Sequence, residues 1–140
     1  MPTRTAEATW NGDLKSGTGH MTSQSGAVDD AFSFVTRFGD KDGTNPEELI
    51  GAAHAGCFSM AFSNMLAEAG YTPTSVHTTA HVHLDDESLS IDHIKLVTEA
   101  EVPGLDEETF QEHAQQAKAG CPVSKLYQGA EITLEATLKG

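Results

Sequence analysis

Basic residues are scarce in this chain: eight lysines and arginines stand against 21 aspartates and glutamates, for a formal net charge of −13 over 140 residues. Charge of that sign repels a phosphate backbone and an anionic bilayer, so neither nucleic acid nor membrane is an expected partner. No apolar stretch approaches the length of a membrane span by inspection, and Met1-Pro2-Thr3-Arg4 is not followed by the apolar segment of a signal peptide. The expectation is a soluble, cytoplasmic protein. Cysteine is limited to Cys57 and Cys121, 64 positions apart, which is not zinc-finger spacing. In a reducing compartment a lone pair is rarely a structural bridge, which leaves redox chemistry or two idle buried thiols. The length suits one ordinary domain with one core, so residues 1–140 are expected to fold as a single domain.

Against those absences stands a clear succession of elements. Thr5 to Trp10, Gly17 to Ser23 and Ala31 to Val35 read as short strands of an antiparallel meander, with turns at Asn11-Gly12 and Asp29-Asp30. The loop Gly39-Asp40-Lys41-Asp42-Gly43 follows Arg37 closely. At Asn45-Pro46-Glu47-Glu48 the signals of a helix start coincide, with Asn45 as N-cap, Pro46 in the first turn and Glu48 at the capping-box position. That helix is expected to run to about Ala69 and stop at Gly70. Its residues 49–62 are apolar or small on nearly every side, the pattern of a central buried helix. A single chain of this size can hardly cover such a helix. Gly51 and Gly56 each cost about 1 kcal/mol relative to Ala, and close approach of a second helix would explain them, so a homodimer sharing this core is expected.

Strands Ser75 to Leu84 and Ile91 to Val102 follow, the first alternating Val76, Thr78, Ala80, Val82 and Leu84 with polar residues as in a sheet covered on one side. Asp106 caps a second helix that ends at Gly120. Pro122 opens another, with Cys121 at its N-cap, and Glu131 to Leu138 closes the chain as a strand. The fold class is α+β, with antiparallel sheets wrapped around a central helix.

A thiol attacks a peroxide as thiolate, and a free cysteine is mostly protonated at neutral pH. Cys57 lies mid-helix in apolar company, where desolvation raises its pKa further. Cys121 is better placed, because a helix N-terminus favours a thiolate. Cys57 needs a cation, and Arg37, one of two arginines, offers a guanidinium that can bond a thiolate and a peroxide oxygen together.

Several runs carry a resemblance to a known family. Thr36-Arg37-Phe38, Asn45-Pro46-Glu47-Glu48-Leu49, His54-Ala55-Gly56-Cys57-Phe58-Ser59-Met60-Ala61 and Cys121-Pro122-Val123-Ser124-Lys125, in this order and at these spacings, resemble the OsmC/Ohr family of osmotically induced and organic hydroperoxide resistance proteins, the last run being closer to the OsmC branch. The resemblance implies a two-cysteine thiol peroxidase for organic hydroperoxides. In it Cys57 is peroxidatic, Cys121 resolves it as a Cys57–Cys121 disulfide, Arg37 activates thiolate and peroxide, and Glu47 holds Arg37. It further implies an intertwined homodimer and an external dithiol reductant, for which the resemblance suggests a lipoyl-linked dithiol. No cofactor or metal is expected. Phe58, Met60 and Phe62 are either core or an apolar wall that favours alkyl hydroperoxides.

Helix geometry adds one inference. Ten residues at 1.5 Å rise set Glu47 roughly 15 Å along the axis from Cys57. Two antiparallel copies of the helix crossing near residue 52 would bring Glu47 of one protomer beside Cys57 of its partner. Other readings are open to the same residues. His77, His81, His83 and His93 could form a metal-binding face, His54 and Cys57 at i and i+3 could be a base and nucleophile for acyl transfer, and the chain could be a non-catalytic stress-response binding protein.

Overall fold

Alternating residues punctuated by glycine build the first sheet. In the computed structural model, which describes residues 2–139, β1 (Ala6–Asn11), β2 (Thr18–Ser23) and β3 (Asp29–Phe32) pair antiparallel in the order β1-β2-β3. Asp29 and Asp30, expected as a turn, are strand residues, with Asp29 opposite Thr22. The turn falls earlier, where the Ser23 N–H donates to Val28 O (2.8 Å) and the Gly26 N–H to Ser23 O (2.9 Å). The strand expected to reach Val35 ends sooner as well. Ser33 diverts the chain into the short helix α1 (Phe34–Phe38), its N–H donating to the Thr36 hydroxyl at 2.8 Å. Arg37 therefore sits in the last turn of a helix and not at a strand end.

Helix α2 (Pro46–Glu68) begins where the capping signals put it. Asn45 Oδ1 accepts from the Glu48 N–H at 2.8 Å, and Asn45 Nδ2 donates to Thr36 O at 3.1 Å. Gly70, at φ +96°, reverses the chain while the Tyr71 N–H donates to Leu66 O at 2.8 Å, satisfying a carbonyl of the last turn. Asn45→Ala is expected to cost about 1 kcal/mol. A thermal melt should register it as a fall of about 4 °C, and an unchanged melt would deny the cap its role.

The described chain divides into two compact units, one ending at Leu49 and the other beginning at Ile50. In the second, β4 (Ser75–Asp85) and β5 (Ser90–Glu101) pair antiparallel from Ser75 opposite Glu101 to Asp85 opposite Ser90, with an irregularity at His83/Leu84. Helices α3 (Glu107–Gly120) and α4 (Pro122–Leu126) then carry the chain back, and β6 (Glu131–Lys139) lies parallel to β5. Sheets of purely antiparallel pairing were expected. The helical crossover is what permits the one parallel pair, since a parallel neighbour needs a connection of a dozen or more residues.

The core of this unit lies between sheet and helices. Phe58, Phe62 and Leu66 of α2 meet Ile94, Leu96 and Ala100 of β5 and Phe110, Ala114 and Ala117 of α3, all buried. The Phe62 and Phe110 rings stand 5.3 Å apart. Each such phenylalanine contributes roughly 1.5–3 kcal/mol by leaving water.

Helix α2 was expected to be more than one chain can cover, and the single chain buries only a stripe, Gly51, His54, Phe58, Phe62 and Leu66, leaving Ala52, Ala53, Gly56 and Met60 exposed. Within the described chain the close neighbour of Gly51 is a strand: a Cβ there would stand 3.3 Å from a Val82 methyl of β4. Gly56 faces open space. By length and composition α2 could also cross a membrane, contrary to the expectation that no stretch could. Its packing against β5 and α3 marks it as a core helix.

Candidate functional site

Cys57 is delivered by the middle of α2, half-buried, and Cys121 by the break between α3 and α4, fully buried. The break follows from Pro122, which has no N–H to donate and disfavours helical geometry at the residue before it. Cys121 accordingly sits at φ −60°, ψ 129°. Its N–H donates to Ala117 O (3.0 Å) to close α3, and its carbonyl accepts from the Lys125 N–H (3.1 Å) to open α4. The result is a pair of free thiols 2.8 Å apart, the Cys121 thiol donating to Cys57 Sγ. A disulfide needs sulfurs at about 2.0 Å, so a small shift of the side chains would join them.

Burial pushes the Cys57 thiol above the ordinary cysteine value. The hydrogen bond with the Cys121 thiol raises it further, while the Val123 backbone N–H pulls the other way. The favourable N–H at the start of α4 thus serves Cys57, where the sequence had suggested that Cys121 would benefit. No lysine or arginine of the second unit's described residues contributes to the Cys57 shift.

Arg37 and Glu47 form the other pairing. Arg37 Nε donates to Glu47 Oε1 at 2.9 Å and Nη2 to Oε2 at 3.2 Å, a two-pronged geometry that fixes the guanidinium plane. The Glu47 side chain is mostly covered, and the Arg37 carbon Cζ lies 5.2 Å from the centre of the Phe38 ring. Arg37 borders a cavity of about 300 Å³ walled by Trp10, Phe32, Phe34 and Phe38. Those aromatics were not singled out from the sequence as one wall, because they lie in three short elements, β1, β3 and α1. Phe58 and Phe62 are core residues, and only Met60 of the three residues near Cys57 is exposed.

Of the four site residues expected from the sequence, Arg37 meets Glu47 and Cys57 meets Cys121. Helix α2 runs unbroken from Pro46 to Glu68. His54 does not act on Cys57 as the acyl-transfer reading requires. Its Nε2 is bonded to Ser124 Oγ at 2.7 Å, inside the protein. The histidine face of the second sheet is engaged in part, with His83 Nδ1 bonded to Asp92 (2.7 Å) and His93 Nε2 to Thr133 Oγ1 (2.9 Å). Among the described residues no three histidines, cysteines or carboxylates are grouped to hold a metal ion.

The chain is 54% identical over 136 residues to Peroxiredoxin OsmC of Escherichia coli (strain K12), covering 95% of this chain and 94% of that protein. It is 32% identical over 121 residues to Organic hydroperoxide resistance protein OhrB of Bacillus subtilis (strain 168), covering 84% and 88%. The crystal structure of OhrB of Bacillus subtilis superposes with a TM-score of 0.63 at 26% identity, covering 96% of this chain and 98% of that one. The higher identity to OsmC than to OhrB follows the branch suggested by Cys121-Pro122-Val123-Ser124-Lys125. Residues 39–136 match the family described as OsmC-like protein, and the chain belongs to that family.

Proposed function

We propose that this protein is a thiol peroxidase that reduces organic hydroperoxides to alcohols through Cys57 and Cys121, without metal or organic cofactor. The carrying observation is the contact of two free thiols at 2.8 Å, one half-buried on a core helix and the other at a helix break.

In the first step the Cys57 thiolate attacks the terminal oxygen of ROOH. The O–O bond breaks, alkoxide leaves and takes a proton, and Cys57 becomes a sulfenic acid. In the second, the Cys121 sulfur attacks the sulfenic sulfur, an S–S bond forms, the S–O bond breaks and water departs. An external dithiol, lipoyl-linked in the reading we favour, then reduces the disulfide in a compartment that keeps thiols reduced. Arg37 is assigned to the thiolate and to the charge developing on oxygen, and Glu47 to holding its guanidinium. The apolar cavity beside Arg37 suits an alkyl or aryl substituent.

The reading includes a homodimer. The exposed Ala52, Ala53, Gly56 and Met60 give α2 an uncovered face of small and apolar residues, on which an antiparallel copy could cross near residue 52. Such a crossing brings the Arg37–Glu47 pair of one protomer toward Cys57 of its partner and completes each site.

Counting thiols by mass spectrometry before and after one equivalent of cumene hydroperoxide tests the cycle. Wild type is expected to lose both thiols to one intramolecular disulfide. Cys121→Ser is expected to carry a sulfenic acid at Cys57, or its sulfinic and sulfonic products. Two unreacted thiols in the wild type would leave a binding protein as the better account.

A further inference from the structure

Two hydrogen bonds tie the start of α4 to α2 among the described residues. The Cys121 thiol bonds Cys57 Sγ, and Ser124 Oγ bonds His54 Nε2. The first ends on the atom that reacts. When Cys57 gains an oxygen, that atom and its hydrogen bond change, so this contact does not hold α4 in place for the second step. The other contact touches no reacting atom.

Its surroundings are built for permanence. His54 is fully buried and Ser124 nearly so, with the Tyr127 ring edge-on to the imidazole at 5.4 Å. His54 Nδ1 has no partner in the described structure, so the ring spends its single polar contact on Ser124. A buried histidine left with one unmet nitrogen is costly, and apolar residues of similar volume would cost less. Burial holds the ring below its ordinary pKa and so keeps it neutral. Spacing places the contact well: His54 stands one helical turn before Cys57 on α2, and Ser124 three residues after Cys121, so one hydrogen bond clamps both cysteine-bearing segments.

We propose that the His54–Ser124 hydrogen bond is a positioning pair for disulfide closure, the tie that keeps Cys121 over Cys57 once Cys57 has become a sulfenic acid. The proposal rests on the peroxidase reading. It assigns no proton transfer to His54. In the step it controls, Cys121 sulfur bonds to Cys57 sulfur, the S–O bond breaks, and the thiol proton leaves with the hydroxyl as water. A loosened α4 lets a second hydroperoxide oxidise the waiting sulfenic acid to sulfinic acid instead.

The competition between closure and overoxidation is the readout, followed by quenched-flow mass spectrometry across a range of cumene hydroperoxide concentrations. In Ser124→Ala the concentration giving half sulfinic acid is expected to fall roughly tenfold, the effect of losing one well-placed buried hydrogen bond. Ser124→Thr, which keeps the hydroxyl, is expected to stay within about twofold of wild type. The first step, measured as sulfenic acid formation in a Cys121→Ser background, is expected to slow much less on adding Ser124→Ala. His54→Leu is expected to match Ser124→Ala, and the double variant to be no worse than either, as for two ends of one contact. Should His54→Leu fail to fold, the serine series still decides. An unchanged partition in folded Ser124→Ala would overturn the proposal, as would equal slowing of both steps, which marks general loosening. A wild type that forms no disulfide would overturn the peroxidase reading beneath it.

Discussion

Cys57→Ser is expected to abolish hydroperoxide reduction, lowering kcat/KM roughly 10⁴-fold or more, to the uncatalysed background. A serine hydroxyl in the same place stays protonated through the working pH range, and oxygen does not take a second oxygen as sulfur does. The folded state is expected to tolerate the change, because Cys57 is only half-buried and the core stripe of α2 passes through Phe58, Phe62 and Leu66. Cys121→Ser differs in kind. It keeps the nucleophile and permits one stoichiometric reaction, after which turnover depends on an outside thiol reaching Cys57. Consumption of cumene hydroperoxide with dithiothreitol or dihydrolipoamide as reductant separates the two: background rate for the first variant, a burst of about one equivalent followed by slow turnover for the second. Sustained wild-type turnover in Cys57→Ser would remove this residue from the chemistry.

The elements whose signals are local were legible from the sequence. Asn45 caps α2 through the Glu48 N–H, Asp106 caps α3 through the Thr109 N–H, Pro122 opens α4, and Gly70 ends α2. Strand β4 was legible from its alternation between Ser75 and Leu84, and β5 as the second long strand beyond the acidic turn. Two kinds of feature were not. Helix α1 is five residues long and depends on Ser33 and Thr36, a weaker capping pattern than serine followed by glutamate, so its extended-looking aromatics read as a strand. The parallel placement of β6 depends on where α3 and α4 deposit the chain, which no local pattern encodes. At the site, residue types and motif order pointed to Arg37, Glu47, Cys57 and Cys121, but not to the His54–Ser124 bond, whose members lie 70 positions apart and look like a base and an ordinary helix residue. Composition alone indicated that one chain would leave part of α2 uncovered, but not which residues form the buried stripe, since that depends on where β5 and α3 pack.

Arg37→Gln is expected to lower kcat/KM roughly 10²- to 10³-fold, the usual cost of removing one charged donor aimed at developing charge. The pH profile is the more telling readout. Burial raises the Cys57 pKa, and the Val123 N–H is the only lowering influence identified in the second unit. Without the guanidinium Cys57 should stay protonated at neutral pH. Activity of Arg37→Gln should then rise roughly tenfold per pH unit as the thiolate population grows, while wild type levels off at lower pH. Arg37→Lys should recover part of the loss, since an ammonium supplies charge without the fork that Glu47 grips at 2.9 and 3.2 Å. Glu47→Gln should weaken the same grip and reduce the rate by a smaller factor. Mixing tells which protomer supplies the arginine. Arg37→Gln and Cys57→Ser chains, each inactive alone, are refolded together. If Arg37 serves the partner's Cys57, each mixed dimer contains one site with both groups intact, and about a quarter of wild-type activity should return. If it serves the cysteine of its own chain, every mixed site lacks one group and the mixture stays inactive, which would sink the crossed-helix dimer while sparing the two-cysteine cycle.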